Sequence, residues 1–274
     1  MNGLVLGNKD REKGVELVII IPKNPLPLPL SINHEPNFAN SQLIMHTKRG
    51  YLPTDEQSFS PEAVEKMRTA SRHVCYLINE GYDLQMASTF VGNHFALSER
   101  QRLAVVRSIA TDEQLQLRKA KEISDVAGGE VWIDGFNVII TLEVMLSKSI
   151  LFEGMDGTIR DLASLRGTYR IIDETSAAIK ILFDTLSAMN VAKVNILLDE
   201  PVSNSGRLKV LIAEIAENYN FALDIQLLKA VDSALWSKSN VITSDSIILD
   251  HCISWVNLMR QCVKGREVEM LKVW

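Results

Sequence analysis

The sequence predicts an α/β protein with a mainly parallel sheet and helices on both faces, preceded by a small all-helical domain. Two observations carry this prediction. After residue 129, short apolar runs alternate with amphipathic segments, which is typical of parallel strands and their connecting helices. Several of these runs are continuous rather than alternating, as in strands that are buried on both faces.

Residues 1–58 are predicted to form a proline-rich, poorly ordered arm. Six prolines fall in this stretch, and it shows little apolar periodicity. Proline favours extended segments over helix.

Residues 59–127 are predicted to form the helical domain. Ser60 is placed to cap a first helix that begins with Pro61. Ser98 and Thr111 each precede a glutamine by three residues, a pattern that favours a capping box and the start of a new helix.

The second and third of these helices offer a basic surface. Arg100 and Arg102 are our candidates for nucleic-acid contact, and an ordinary solvated helix face is the alternative. Basic residues outnumber acidic ones between positions 99 and 121: Arg100, Arg102, Arg107, Arg118, Lys119 and Lys121 against Glu99, Asp112 and Glu113.

Residues 128–274 are predicted to form the α/β domain, which begins after the linker Gly128-Gly129. We expect strands near 130–134, 149–153, 193–199, 223–229 and 240–244, and helices near 138–147, 173–189, 205–219 and 247–263.

Four of these strands end on or shortly before an aspartate: Asp134, Asp199, Asp232 and Asp245. Ligands of open α/β sheets bind beyond the carboxyl ends of the strands. Carboxylates gathered there repel one another unless a hard cation such as magnesium or manganese lies between them. The pattern therefore predicts a metal site, although Asp199 and Asp232 are equally compatible with surface or capping roles.

Two loops are candidates for substrate binding. The turn Ser203, Asn204, Ser205, Gly206 opens a helix, where free backbone N–H groups suit a phosphate, although a simple N-cap turn explains it as well. A second loop, residues 156–170, carries arginines that suit phosphate and a tyrosine on which a base could stack, and a plain surface loop is the alternative. Its candidate residues are Arg160, Arg166, Tyr169 and Arg170.

The motifs Asp134-Gly135-Phe136-Asn137 and Thr243-Ser244-Asp245 resemble the PIN-like nuclease superfamily, in particular its NYN-type branch. The resemblance covers roughly residues 130–262. In the wider C-terminal half, the motifs at residues 134–138, 156–161 and 201–206 also resemble an uncharacterised prokaryotic family of unknown function, whose helical N-terminal partner domain resembles residues 60–125.

The superfamily resemblance implies metal-dependent hydrolysis of RNA, with Asp134 as the central ligand of magnesium or manganese and Asp245 as its partner. Asn137 either holds Asp134 in register or caps the following helix. Relatives carry a further acid close behind the late-strand aspartate, where this chain has Ser246. Asp250 is the next acid that could serve as a metal ligand.

The amino-acid composition limits the binding partners and the cellular compartment that the sequence predicts. The net charge is −5, and the whole acid excess falls in residues 129–274, which argues against a strong sequence-independent nucleic-acid binder. Three scattered cysteines and the lack of a bilayer-length apolar run predict a cytoplasmic protein without membrane contact. The sequence does not indicate the oligomeric state.

The strand-end acids predict a metal site, and the resemblance to the nuclease superfamily implies that the protein is a divalent-metal-dependent ribonuclease that binds RNA. Two alternatives remain open: a catalytically silent RNA-binding or adaptor protein, and a small-molecule phosphatase or nucleotide-binding domain that uses the turn at 203–206.

Overall fold

The computed structural model describes residues 48–163 and 167–274. Its helices are α1 Asp55–Ser58, α2 Pro61–Asn79, α3 Leu84–His94, α4 Glu99–Ser108, α5 Asp112–Lys121, α6 Gly135–Leu146, α7 Thr175–Ala188, α8 Ser205–Ala216, α9 Val231–Leu235, α10 Ser246–His251 and α11 Leu258–Val263. Its strands are β1 Glu122–Ile123, β2 Glu130–Asp134, β3 Leu151–Glu153, β4 Ile159–Arg160, β5 Lys193–Asp199, β6 Ala222–Leu228, β7 Val241–Ile242, β8 Trp255–Val256 and β9 Met270–Leu271.

Six parallel strands form the main sheet in the order β1-β8-β7-β2-β5-β6. From β2 the chain adds β5 and β6 on one side, and it then returns to place β7 on the other side of β2. The strand order therefore reverses between β2 and β7. In open parallel sheets, the crevice beyond the strand ends at such a reversal is the usual ligand site.

The central strands owe their position to burial on both faces. In β5, every residue from Val194 to Leu198 is buried, which matches the continuous apolar run in the sequence. The predicted fold class is confirmed: the protein is α/β, with a parallel sheet flanked by helices and a helical region before it.

The helical region packs through the apolar face of α2, whose Met67, Ala70 and Val74 are almost fully buried. These side chains belong to the same apolar cluster as Phe152 of β3 and Val273 near the end of the chain. The described residues accordingly lie in one compact unit. The predicted start signals are confirmed, since Ser60 caps α2 and capping boxes open α4 and α5.

Two predicted boundaries need correction. The expected helix at 247–263 is interrupted by β8, because buried Trp255 pairs with both β1 and β7 and ends α10 after six residues. Part of the predicted arm, residues 48–58, belongs to the fold, since Asp55 is buried and Arg49 contacts Glu143. The rest of the predicted arm, residues 1–47, lies outside the described residues.

No helix in the described ranges is both long and apolar enough to span a membrane.

Candidate functional site

A cleft of about 470 Å³ opens at the carboxyl ends of the central strands. We call it the acidic cleft. Five aspartates line it. One is Asp161, and the other four lie at or after the ends of β2, β5, β6 and β7: Asp134, Asp199, Asp232 and Asp245. The structure thus brings together the four strand-end acids that the sequence singles out.

Asp134 is the most deeply placed of these acids, with only 6% of its surface exposed. Its Oδ2 accepts a hydrogen bond of 2.9 Å from Thr243 Oγ1. Burial raises the pKa of Asp134 to about 7, and the charges of Asp245, Asp232 and Asp199 add to that rise against the opposing effect of the Thr243 bond. The carboxylate is therefore poorly compensated by the protein itself.

Gly135 lets helix α6 start directly against strand β5. A Cβ at this position would lie 2.6 Å from Leu198 Cδ2 and 2.9 Å from the backbone oxygen of Leu197. Since these distances are too short for any side chain, glycine is required for the strand-to-helix turn that holds Asp134 at the cleft.

Asn137 joins helix α6 to the segment that follows β7. Its Oδ1 accepts hydrogen bonds from the backbone N–H of Ser244 (2.8 Å) and from Ser244 Oγ (3.0 Å). Asn137 is the third residue of α6 and does not cap it. It acts on Asp134 only indirectly, through the segment that carries Thr243 and Asp245.

Asp245 has two structural partners of its own. Its Oδ1 accepts the backbone N–H groups of Ile247 and Ile248 at 2.8 and 3.2 Å, so it caps helix α10. The backbone N–H of Asp245 in turn donates to Thr243 Oγ1, which fixes the cap beside Asp134.

Asp199 and Asp232 complete the cleft on the other side of β2. Partial desolvation and the charge of Asp232 raise the pKa of Asp199. Partial desolvation and the charge of Asp245 raise the pKa of Asp232. The acids of the cleft therefore act on one another, and a bound cation would relieve their repulsion.

The carboxylate oxygens of the cleft are ligands of the kind that hard cations prefer, but few of them lie close together. Among the described residues, no three His, Cys, Asp or Glu side chains lie close enough together to hold a metal ion. Magnesium keeps several waters and needs only one or two carboxylates from the protein. The described residues therefore do not form a site closed by protein ligands alone, and an ion that keeps several waters is the kind of cation that suits them.

Asp250 does not line the acidic cleft and belongs to a buried ion network. Arg118 Nε and Nη2 donate to its two carboxylate oxygens at 2.6 and 3.0 Å. Arg118 Nη1 and Arg160 Nη2 both donate to Asp156 Oδ2, at 2.7 and 2.6 Å. Because Arg118 already neutralises Asp250, we leave this residue out of the proposed metal ligands.

The two arginines predicted from the helical domain serve the fold. Arg100 forms an ion pair with buried Asp55 and donates to the backbone oxygens of Leu162 and Gly50. Arg102 donates to the backbone oxygen of Leu97 and to Asn93 Oδ1, which ties α4 to α3. Neither lines the acidic cleft.

The predicted arginine loop is also largely committed to internal contacts. Arg160 is buried, and its Nε and Nη1 donate to the backbone oxygens of Ser244 and Arg107. Arg170 is exposed and does not line the cleft. Arg166 lies outside the described residues.

Tyr169 cannot stack on a base, because its side chain is fully buried. Its hydroxyl donates to Glu143 Oε1 at 2.6 Å, and its ring packs edge-on against Phe136. Glu143 also accepts from Thr175 Oγ1 and Arg49 Nε, and burial raises its pKa despite these partners.

The turn at 203–206 uses its polar side chains inside the fold. Ser203 Oγ accepts from the backbone N–H of Tyr169, and Asn204 Nδ2 donates to the backbone oxygen of Tyr169 at 2.7 Å. Ser205 Oγ donates to the backbone oxygen of Glu200, and Gly206 is exposed. These three side chains are hydrogen-bonded within the fold, and Asn204, at the N-cap position, makes no side-chain capping bond to α8.

Sequence reasoning missed two residues of the cleft, Arg107 and Asp161. Arg107 Nη1 donates to the backbone oxygen of Asp161 at 2.5 Å. Buried Asp161 accepts from Thr141 Oγ1, and burial raises its pKa. Charge counting marked Arg107 only as one of several basic residues on the helices, and nothing in its spacing distinguishes it.

Two family models match the chain, and both describe proteins of unknown function. The model "Domain of unknown function (DUF5616)" matches residues 123–261, about half of the chain. The chain belongs to the DUF5616 family. The model "Protein of unknown function (DUF434)" matches residues 66–121, so in this DUF5616 protein the two matched segments meet where α5 ends and β1 begins.

A relative from Methanocaldococcus jannaschii, described as an uncharacterized protein, is 36% identical over 176 residues, which are 64% of this chain and 84% of the relative. No solved structure matches the chain. The comparisons therefore establish the family and leave the PIN-like resemblance a prediction.

Proposed function

We propose that this protein is a divalent-metal-dependent ribonuclease whose active site is the acidic cleft. The observation that carries the proposal is the convergence of Asp134, Asp199, Asp232 and Asp245 on one cleft beside the strand-order reversal. RNA as the substrate rests on the resemblance of the Asp134-Gly135-Phe136-Asn137 motif to the NYN-type nucleases.

Asp134 and Asp245 would hold magnesium or manganese, and the ion would activate water and neutralise charge that develops at phosphorus. The chain's own residues set the geometry. Thr243 fixes the carboxylate of Asp134, and Asn137 fixes the segment that carries Asp245. In the described ranges, the side-chain nitrogen Nδ2 of Asn137 has no protein acceptor, so it is free to donate to a substrate oxygen.

The exposed position of the cleft suits an extended substrate. Asp232 is exposed, and Asp199 and Asp245 are partly exposed, so a phosphodiester chain can approach along the strand ends. Asp134 is the buried acid of the cleft, so a cation held by it would lie between the protein and the RNA.

The test is manganese-dependent cleavage of a labelled single-stranded RNA. Asp134→Asn keeps the size of the side chain and removes its charge, and we expect it to lower the cleavage rate by more than about 100-fold. Asp224→Asn is the matched control, because Asp224 is an exposed aspartate of the neighbouring strand β6 outside the cleft. Equal rates for wild type and Asp134→Asn would overturn the proposal.

A catalytically silent RNA-binding protein is the second candidate. It is favoured by the finding that no third metal-ligating side chain joins the closest acids in the described residues. Under this function, the wild type would bind the labelled RNA equally well with chelator or with manganese and would leave its length unchanged.

A further inference from the structure

Arg107 is the basic side chain of the acidic cleft. Of the described residues that line the cleft, Arg107 alone carries a positive charge. It comes from the last turn of α4, in the helical region, whereas the four strand-end aspartates come from the α/β part. The cleft is therefore built from both matched segments of the chain.

The guanidinium of Arg107 is only partly used by the protein. It donates once to the backbone oxygen of Asp161, and its nearest carboxylate contact, to Asp161 Oδ1, is long at 3.8 Å. Its other N–H groups have no protein acceptor among the described residues. With 38% of the side chain exposed, these donors are accessible from the cleft.

The backbone of Arg107 is fixed by a hydrogen bond from buried Arg160. Arg160 Nη1 donates to the backbone oxygen of Arg107, and Arg160 Nε donates to the backbone oxygen of Ser244, the residue before Asp245. One buried guanidinium thus ties the arginine side of the cleft to its aspartate side. Asp156 fixes that guanidinium in turn.

We propose that Arg107 binds a non-bridging phosphate oxygen of the RNA substrate, so that the helical region supplies a substrate-binding residue to the acidic cleft. This inference rests on the proposed function for the identity of the substrate. A phosphodiester carries a negative charge and is repelled by a cleft of aspartates. An arginine with free, forked donors offsets that repulsion and also orients the phosphate.

The first experiment measures RNA binding by fluorescence anisotropy with labelled oligouridine in the presence of magnesium. Asp134→Asn serves as the background, so that cleavage does not shorten the probe. Adding Arg107→Ala is expected to weaken binding by about 10-fold or more, since hydrogen bonds to a charged group are stronger than those between neutral groups. Arg107→Lys keeps the positive charge but loses the paired N–H donors of the guanidinium. Its affinity for the RNA should lie between those of the background protein and the Arg107→Ala variant.

Arg260→Ala is the matched control. Like Arg107, Arg260 donates to a backbone oxygen, but it is exposed, forms an ion pair with Glu153 and lies outside the cleft. Its affinity should equal that of the background. Melting temperatures of all variants establish that they are folded. Equal affinity for the Arg107→Ala and Arg260→Ala variants, or no binding by the background protein, would overturn the inference.

The second experiment separates this inference from the proposed function by measuring cleavage. Cleavage that is lost in Asp134→Asn but has an unchanged KM in Arg107→Ala would overturn the role of Arg107 and leave the ribonuclease in place. Binding that depends on Arg107, with no cleavage by the wild type, would support the role of Arg107 and overturn the ribonuclease.

Discussion

Two groups of carboxylates in this protein, the buried ion network and the acidic cleft, have opposite electrostatic surroundings. In the buried ion network, Asp156 and Asp250 face Arg118 and Arg160, so two acids meet two guanidinium groups. In the acidic cleft, five aspartates face a single arginine among the described lining residues. The network is neutral, and the cleft carries an excess of negative charge.

The pKa values follow this difference. Burial opposes ionisation of Asp156, but the charges of Arg160 and Arg118 and the hydrogen bonds of Thr158 lower its pKa below the usual value. Burial raises the pKa of Asp134, and neighbouring aspartates raise it further. Charge that the protein leaves uncompensated at an accessible cleft indicates a ligand site, whereas compensated charge indicates a structural role.

The largest expected effect comes from breaking the network with Asp156→Asn. Removing this charge leaves buried Arg160 without its carboxylate partner and leaves Arg118 with Asp250 alone, so we expect the free energy of unfolding to fall by about 3–5 kcal/mol. Urea unfolding measures the loss. Glu130→Gln breaks an exposed ion pair with Lys193 and should change the stability much less, because solvent screens that pair. If both variants lose the same stability, the network is not the structural charge cluster described here.

An intermediate effect is expected from Asp134→Asn in the absence of metal, and here the substitution should raise the stability instead of lowering it. The folded-state pKa of about 7 lies above the unfolded value of about 3.9, so the folded protein binds more protons between these values. The stability contributed by the neutral form is present below pH 4 and is lost as the pH rises towards 7.

Asparagine avoids that loss, so Asp134→Asn should melt about 2–8 °C above the wild type at pH 8 in chelator, with a smaller gap at pH 5. Thermal melts across this pH range measure the gap. Asp224→Asn should follow the wild type throughout. A pH-independent gap would mean that Asp134 is ionised in the folded protein over the whole range.

The smallest effect concerns Glu143, a third buried acid that is paired mostly with hydroxyl groups. Tyr169→Phe removes one donor to it and leaves Thr175 and Arg49, so we expect a loss of about 1–2 kcal/mol. Tyr219→Phe removes a comparable bond to Asp184 at the surface and should cost less. Chemical unfolding of both variants makes the comparison, and a larger loss for Tyr219→Phe would contradict it.

The acids of the cleft were predictable because of how parallel strands are built. Burial on both faces leaves a continuous apolar run, and the first polar residue after it marks the carboxyl end of the strand. Asp134 and Asp199 follow this rule, and Asp245 comes two residues after Thr243, the first polar residue beyond β7. The helix starts at Ser60, Ser98 and Thr111 were predictable for a similar reason, since capping is a local interaction.

The roles of the arginines were not predictable, because they depend on tertiary neighbours. Arg102, Arg107 and Arg118 lie on successive helices with similar composition. One ties two helices together, one lines the cleft and one is almost completely buried against two acids. Local spacing also could not separate Asp245 from Asp250, whose different roles follow from the position of Arg118.

The junction between α5 and β1 has a consequence for inheritance. Lys121 ends the helix and Glu122 begins the sheet with no residue between them, and the buried cation of Asp250 comes from the helical side. A recombination event at this junction that kept only the α/β part would separate Asp250 from Arg118. It would also detach the edge strand β1 from helix α5, which directly precedes it. Selection should therefore act against such breakpoints and keep the two segments on one gene.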